Sequence, residues 1–187
     1  VVPGEKLRDA TLVGIALDRV GHSRWGVLDG GFAKWLEEKR PIDNSLPGAS
    51  ASTYAPDGAD DFAVDHQTVL AAVDDKGTVI IDTRPSDYFT GKKSDEARAG
   101  HIPGASNRPC SEDLGEDGSL KPTDDLAAAY KLLVPSSETP VIVHCRTGHQ
   151  ASQTYFVLRH LLGYPNVKWY DGSWTDWASR AELPIEP

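Results

Sequence analysis

One short stretch, residues 141–152, constrains the fold of this chain more than any other. It opens with the apolar, β-branched run Val141–Val143, which is typical of a buried strand. The run stops before Cys145, a polar loop follows, and from Ala151 onward apolar residues recur at the spacing of a helix. The sequence therefore places a cysteine at the carboxyl end of a strand and just before the N-terminus of a helix.

This location favours the thiolate form of Cys145. Backbone N–H groups and the positive end of the helix dipole converge there, and Arg146 adds a full positive charge. We therefore expect the pKa of Cys145 to fall below the free value of ~8.5, to ~7 or lower. A thiolate among N–H groups can attack sulfur, and the same groups can hold a persulfide, which is also anionic. The alternative is an inert core cysteine, which the directly following Arg146 disfavours.

Composition limits the classes of protein that this chain can represent. Its 187 residues suffice for one domain, or for two only if both are small. A hydrophobic fraction of 39% and a charged fraction of 25% fit a soluble globular protein, and no apolar run approaches the length of a membrane span. The net charge of −9 argues against nucleic acid as the main partner. An anionic substrate would need a local cluster of basic groups.

The cysteines and the first residues add two expectations. Cys110 and Cys145 lack the spacing of metal ligands, so no metal site is predicted. The chain contains no Met and opens with Val1–Pro3, so we expect its true N-terminus to lie upstream. No signal peptide is visible, and the choice between cytoplasm and periplasm stays open.

Two stretches of the chain align without gaps, which indicates an internal repeat. Residues 21–35 match residues 163–177 at an offset of 142 (163 − 21 and 177 − 35), sharing a Gly, an Asp-Gly pair and a final Trp. The same offset places Pro3 opposite Cys145. We therefore interpret residues 1–41 as the back half of an inactive domain, whose missing strands are on a second polypeptide or unrecorded. The alternative is a simple helical extension.

The rest of the chain alternates strands with helices after a linker at residues 42–61, which is rich in Pro, Gly and Ser. Residues 62–187 are predicted to be the catalytic domain, with a parallel α/β sheet that carries helices on both faces. Sites in such sheets form at the carboxyl ends of the strands, where Asp82 and Cys145 fall. The predicted elements are helices Leu7–Val20, Phe32–Glu38, His66–Val73, Asp124–Leu133, Ala151–Leu162 and Trp174–Ser179, and strands Trp25–Leu28, Phe62–Asp65, Thr78–Asp82, Val141–Val143 and Val167–Tyr170.

Four motifs in order resemble the rhodanese family of sulfurtransferases. They are IDTRPSDYF at Ile81–Phe89, GHIPGASN at Gly100–Asn107, HCRTGHQAS around Cys145 and VKWYDGSWTDW at Val167–Trp177. The resemblance implies a rhodanese-like parallel sheet preceded by a partial second copy. Tandem rhodaneses pair an inactive N-terminal domain with an active C-terminal one, which agrees with Pro3 opposite Cys145.

The resemblance also implies roles for the residues of the loop. Cys145 is the nucleophile that carries the persulfide, and the loop Cys145–Gln150 supplies N–H groups to the bound sulfur. Arg146 stands where thiosulfate-using members have a basic residue and mercaptopyruvate-using members have a small one. Thr147 stands where many thiosulfate enzymes have a lysine, and Tyr88 stands where several two-domain members have an arginine, which weakens the case for a dianionic donor. The expected loop and substrate-binding residues are Arg146, Thr147, Gly148, His149, Gln150, Arg84, Arg98 and Tyr88.

Some of these residues have a structural alternative. Asp82 and Arg84 are expected to form a buried ion pair that positions the loop rather than to take part in catalysis. Arg98 reaches a substrate anion or is an ordinary exposed arginine. His149 supplies partial positive charge near neutral pH or is a solvent-exposed loop residue.

The expected reaction is a double displacement through the Cys145 persulfide, with thiosulfate as sulfur donor and a thiol or cyanide as acceptor. It needs no metal or organic cofactor, because the cysteine carries the sulfur. A cysteine phosphatase would need an arginine six residues after the cysteine, where this chain has Ala151. The open alternatives are a 3-mercaptopyruvate sulfurtransferase and a persulfide carrier or redox protein that does not turn over.

Overall fold

A parallel sheet of five strands forms the centre of the molecule. The computed structural model describes residues 6–22, 24–45, 48, 50–57 and 61–187. The strands lie in the order β1-β5-β4-β2-β3, and every neighbouring pair is parallel. Their bounds are β1 Ala63–Val64, β2 Val79–Asp82, β3 Ser106–Asn107, β4 Val141–His144 and β5 Val167–Tyr170.

Helices cover both faces of this sheet. Side chains alternate between the faces along each strand, so Val141 and Val143 join one buried cluster while Ile142 joins the other. All four residues of β4 are buried, as expected of a central strand covered on both sides. The helices are α1 Leu7–Arg19, α2 Gly31–Glu37, α3 His66–Asp74, α4 Ser86–Phe89, α5 Thr123–Lys131, α6 His149–Phe156 and α7 Ser173–Ser179. The predicted fold class, a parallel sheet with helices on both faces, is confirmed.

Helix α6 begins earlier than the sequence predicts and changes its winding near the end. It starts at His149 instead of Ala151 and continues as a π-helical turn over Val157–Leu161. The two-residue difference arises because Gly148, in the left-handed region, serves as the N-cap directly after the loop. The loop between Cys145 and the helix is therefore shorter and tighter than expected.

The N-terminal helices repeat the limits of the C-terminal ones. Adding the offset of 142 to α1 (7–19) gives 149–161, which spans α6 and its π-helical turn. Adding it to α2 (31–37) gives 173–179, the limits of α7. The predicted strand at Trp25–Leu28 is wrong, because only Val27 makes a single β-bridge there. Pro3, the residue opposite Cys145 in the repeat, lies outside the described residues.

Helix α1 packs along α6, the helix that follows the Cys145 loop. The hydroxyls of Thr11 and Ser152 share a hydrogen bond of 2.8 Å, and both residues are fully buried. His160 Nε2 lies 2.8 Å from an Asp18 carboxylate oxygen at the other end of the helix pair. None of the helices in the described part of the chain is long and apolar enough to cross a membrane.

Candidate active site

The carboxyl ends of β2 and β4 lie side by side and carry the site. Asp82 is paired in register with His144, so Cys145 is the first residue beyond the sheet at this edge. The loop from Cys145 to Gly148 then turns into α6. This is the position at which open parallel sheets commonly place their ligands.

Gly148 closes the loop in a conformation that a side chain would disturb. Its φ of 79° lies in the left-handed region, and a Cβ atom there would stand 2.8 Å from Trp169 and 2.9 Å from Asp171. The indole Nε1 of Trp169 also donates a hydrogen bond of 3.0 Å to the Gly148 carbonyl. Glycine is therefore required here by both backbone conformation and space.

Backbone N–H groups surround the sulfur of Cys145. Those of Thr147, Gln150 and Ala151 hydrogen-bond to Sγ and lower the pKa of the thiol. We call this set of three donors the N–H cradle. Gln150 and Ala151 contribute from the first turn of α6, where N–H groups have no partner within the helix. Ala151 was not among the residues predicted from sequence.

The prediction of a low pKa for Cys145 is nevertheless wrong. The residue is 1% exposed. Its burial raises the pKa of the thiol, and the negative charge of Asp82 adds to that effect, so the N–H cradle offsets only part of the shift. The thiol form of Cys145 is therefore favoured at neutral pH.

Ser173 holds the two ends of the loop together. Its Oγ accepts hydrogen bonds from the backbone N–H groups of Cys145 (3.2 Å) and Gly148 (2.9 Å) and donates one to the Tyr170 carbonyl (2.7 Å). Ser173 was not among the residues predicted from the sequence. Its place at the site could have been predicted, because Ser173 follows β5, the strand next to β4, at the same edge of the sheet.

The N-terminus of α7 binds the outer side of the loop. The N–H of Trp174 donates to the carbonyl of Cys145, and the N–H of Thr175 donates to the carbonyl of Arg146, each at 3.0 Å. Otherwise unpaired donors of one helix thus satisfy the loop carbonyls. The loop therefore directs N–H groups of the cradle toward Sγ, while its own carbonyls are held by the first turn of α7.

The predicted ion pair of Asp82 and Arg84 is present and buried. A guanidinium nitrogen lies 2.6 Å from a carboxylate oxygen, and the exposed fractions of the side chains are 3% for Arg84 and 0% for Asp82. Arg84 also donates to the Gly100 carbonyl at 2.8 Å and stacks over Trp174 at 4.5 Å. Because Asp82 balances its charge, Arg84 brings little net charge to the site. The adjacent His144 adds none, since burial lowers the pKa of its imidazole and favours the neutral form.

The charge of Arg146, which the sequence places beside the sulfur, is paired with two carboxylates. Its side chain is 47% exposed, and its Nε donates to Glu96 at 2.8 Å while a terminal nitrogen lies 3.5 Å from Asp95. Both acids belong to the long connection between β2 and β3. The residue expected to attract an anion is thus already paired with two carboxylates.

A cavity of about 200 Å³ opens next to the loop. Tyr88 and Gln150 take part in its wall, and with Arg84 and Arg146 they are the predicted residues that the fold brings together there. Thr147 joins the site through its backbone N–H, and its side chain is exposed. The complete lining is Arg84, Pro85, Tyr88, Asp95, Arg146 and Gln150.

Two predicted residues point elsewhere. His149 Nε2 lies 2.8 Å from an Asp9 carboxylate oxygen, so it contacts α1 and not the cavity. Arg98 donates to the backbone carbonyls of the C-terminal segment, with distances of 2.7 to 3.1 Å. Its partners are Arg180, Ala181 and Leu183.

The second cysteine occupies a different environment. Cys110 begins a short 3₁₀ turn, Cys110–Asp113, and its carbonyl accepts a 2.6 Å hydrogen bond from Gln153. Burial raises the pKa of its thiol to about 11, although the nearby Arg8 acts in the opposite direction. In the part of the chain that the structure describes, no group of three or more His, Cys, Asp or Glu side chains could hold a metal ion.

The chain is similar in sequence to known proteins. A family model described as a rhodanese-like domain matches residues 65–180. A Mycobacterium bovis protein named "Putative thiosulfate sulfurtransferase 1" is 40% identical over 177 residues, which cover 89% of this chain and 62% of that protein. The "Sulfur carrier protein TtuD" of Thermus thermophilus is 33% identical over 180 residues, covering 88% and 62%. The chain thus spans about three fifths of the length of these relatives.

Solved structures show the same fold at lower identity. The anaerobic ergothioneine biosynthesis enzyme of Chlorobium limicola superposes with a TM-score of 0.84 at 22% identity, over 96% of this chain and 45% of that one. The chain belongs to the rhodanese-like domain family.

Proposed function

We propose that this chain transfers sulfane sulfur through a persulfide on Cys145. The observation that carries the proposal is the N–H cradle, in which three backbone donors converge on one buried sulfur. Such donors stabilise an anionic sulfur in a site that excludes water. They suit both the attacking thiolate and the terminal sulfur of a persulfide. The names of the Mycobacterium bovis and Thermus thermophilus relatives support sulfur transfer or sulfur carriage.

The reaction proceeds in two displacements. In the first, the Cys145 thiolate attacks the outer sulfur of thiosulfate, a new S–S bond forms, and sulfite leaves with the electron pair of the old one. In the second, a thiolate or cyanide attacks the terminal sulfur of the persulfide and Cys145 leaves as a thiolate. Charge balances in both steps. The cysteine itself carries the sulfur, so the reaction calls for neither a metal nor an organic cofactor.

A sulfur-carrier role is the second candidate, and a specific observation favours it. Arg146 is paired with Asp95 and Glu96, so the mouth of the site offers little free positive charge for a small dianion. A carrier would receive its sulfur from a protein persulfide and pass it to one partner. 3-Mercaptopyruvate, a monoanion, is the other donor to test.

We also propose that the N-terminal segment is part of a second, inactive copy of the domain. Support comes from the helix limits of α1 and α2, which coincide with those of α6 and α7 at the same offset of 142. The curated relatives are longer than this chain, which leaves length for the rest of that copy, on the same or a second polypeptide. The proposed boundaries are 1–41 for the partial copy, 42–61 for the linker and 62–187 for the catalytic domain.

The test is a non-reducing intact mass spectrum before and after incubation with thiosulfate. We expect the wild-type chain to gain one sulfur atom that cyanide removes. The Cys145→Ser variant should gain none, and the matched Cys110→Ser variant should gain it as the wild type does. Sulfur retained by Cys145→Ser would refute the proposal. Persulfide formation without steady turnover of thiosulfate and cyanide would favour the carrier role.

A further inference from the structure

The connection between β2 and β3 brings two acids over the catalytic loop. Glu96 accepts hydrogen bonds of 2.8 Å from both the Nε of Arg146 and the hydroxyl of Thr175. Asp95, beside it, lies 3.5 Å from the same guanidinium. Arg98 fixes this segment to the C-terminal part of the chain through three backbone carbonyls. The acids are therefore held in place and are not part of a loose loop.

The charged side chains around the cavity carry more negative than positive charge. The charge of Arg84 is balanced by Asp82 at 2.6 Å. The charge of Arg146 is balanced by Glu96 at 2.8 Å, and Asp95 then remains in excess. A donor anion that enters this cavity therefore meets a net negative charge from these five groups.

Glu96 is the more influential of the two acids. Its side chain is 17% exposed, against 46% for Asp95, so solvent screens its charge less. Burial raises the pKa of Glu96, but hydrogen bonds from Arg146 and Thr175 outweigh that effect and the net direction is downward. The carboxylate is thus ionised at neutral pH and keeps Arg146 occupied.

We propose that Glu96 is a specificity-determining residue, which acts through Arg146 to disfavour dianionic sulfur donors against monoanionic ones. This inference rests on the proposed function. Because Coulomb energy is proportional to the charge of the donor, removing one negative charge helps a dianion twice as much, in free energy, as a monoanion. A gain of about threefold for a monoanion thus corresponds to a gain of about tenfold for a dianion.

The experiment measures kcat/KM for two donors, thiosulfate as the dianion and methanethiosulfonate as the monoanion, with cyanide as acceptor. In Glu96→Gln we expect the ratio of the two values to shift about threefold toward thiosulfate. The Gln side chain can still accept the Thr175 hydrogen bond. The matched control is Glu112→Gln, which removes a carboxylate paired with Arg108 at 3.1 Å outside the cavity, and there the ratio should stay unchanged.

A second variant shows whether Glu96 acts through Arg146. Combined with Arg146→Gln, the Glu96→Gln change should move the ratio by a smaller factor, because the carboxylate charge is still removed but no guanidinium is released. If Glu96→Gln fails to fold, Asp95→Asn should shift the ratio in the same direction by a smaller factor.

The outcomes separate the two proposals. A persulfide that forms on Cys145 with an unchanged donor ratio in Glu96→Gln overturns this inference alone. An equal gain for both donors overturns it as well, since that result reflects a change other than charge. Absence of sulfur on Cys145 with either donor, in wild type and variant, overturns the proposed function and this inference together.

Discussion

The two cysteines of this chain share their burial but differ in their surroundings. Cys145 is 1% exposed and Cys110 is 4% exposed, and burial raises the pKa of both thiols. Cys145 ends a central strand and receives three backbone N–H donors. Cys110 opens a 3₁₀ turn, and the group that hydrogen-bonds its sulfur is the flexible side chain of Arg8.

The difference concerns the groups that could support the proposed reactivity of Cys145. Burial alone favours the neutral, inert form of a cysteine. Fixed backbone donors supply what a developing negative charge on sulfur needs, without the cost of reorienting water or side chains. The N–H cradle depends in turn on the conformation of Gly148 and on the Ser173 hydroxyl. Changes at these two residues should make Cys145 resemble Cys110.

The largest effect is expected from Gly148→Ala. The new methyl group would meet Trp169 and Asp171 at under 3 Å and force a strained φ, which together cost about 3 kcal/mol of folding free energy and displace the N–H cradle. Loss of the cradle should lower sulfur-transfer activity by about 10²-fold. Denaturant unfolding and kcat/KM measure the two effects.

Gly163→Ala is the control for that change. Gly163 has a similar φ of +74°, but its Cβ would meet no atom within 4 Å. We expect a loss of about 1 kcal/mol from backbone strain and unchanged activity. Equal activity losses in the two variants would show that positive φ, and not the cradle, matters.

A smaller effect is expected from Ser173→Ala. It removes the acceptor of the Cys145 and Gly148 N–H groups and leaves both donors buried without it, at a cost of about 2 kcal/mol. The loosened loop should reduce kcat/KM about tenfold. Ser179→Ala, in the same helix, removes one exposed hydrogen bond to the Asp176 carbonyl and should change stability by under about 0.5 kcal/mol. Wild-type activity in Ser173→Ala would contradict a role for this hydroxyl.

The smallest effect concerns the ionisation of Cys110 and appears only at alkaline pH. Its folded pKa is about 11, above the 9.0 of an unperturbed thiol, so the unfolded chain ionises first as pH rises. The contribution of the neutral thiol to the free energy of unfolding is fully present below about pH 9 and is lost as the pH rises to about 11. Between about pH 8 and pH 10 the wild type should therefore lose about 1 kcal/mol that Cys110→Ala does not lose. Parallel pH profiles of unfolding free energy for the two proteins would contradict this assignment.

The sequence by itself determined the architecture and the position of Cys145 within it. Apolar β-branched runs followed by helical periodicity define β4 and α6, and the turn between them can only place Cys145 at the edge of the sheet. The ungapped repeat also predicted α1 and α2, because helices reflect local spacing and both copies carry the same pattern. These features depend on neighbours within a few residues.

Only the tertiary structure decided the electrostatics of the site. Glu96 lies 50 residues from Arg146 in the chain, and Ser173 lies 28 residues from Cys145, so both contacts form only through the packing of distant segments. The pKa of Cys145 went in the direction opposite to the prediction, because burial depends on which elements cover the loop. His149 likewise contacts Asp9 of α1, 140 positions earlier (149 − 9). Charge acts through space, and its effect on this sulfur was set by the packing of distant segments.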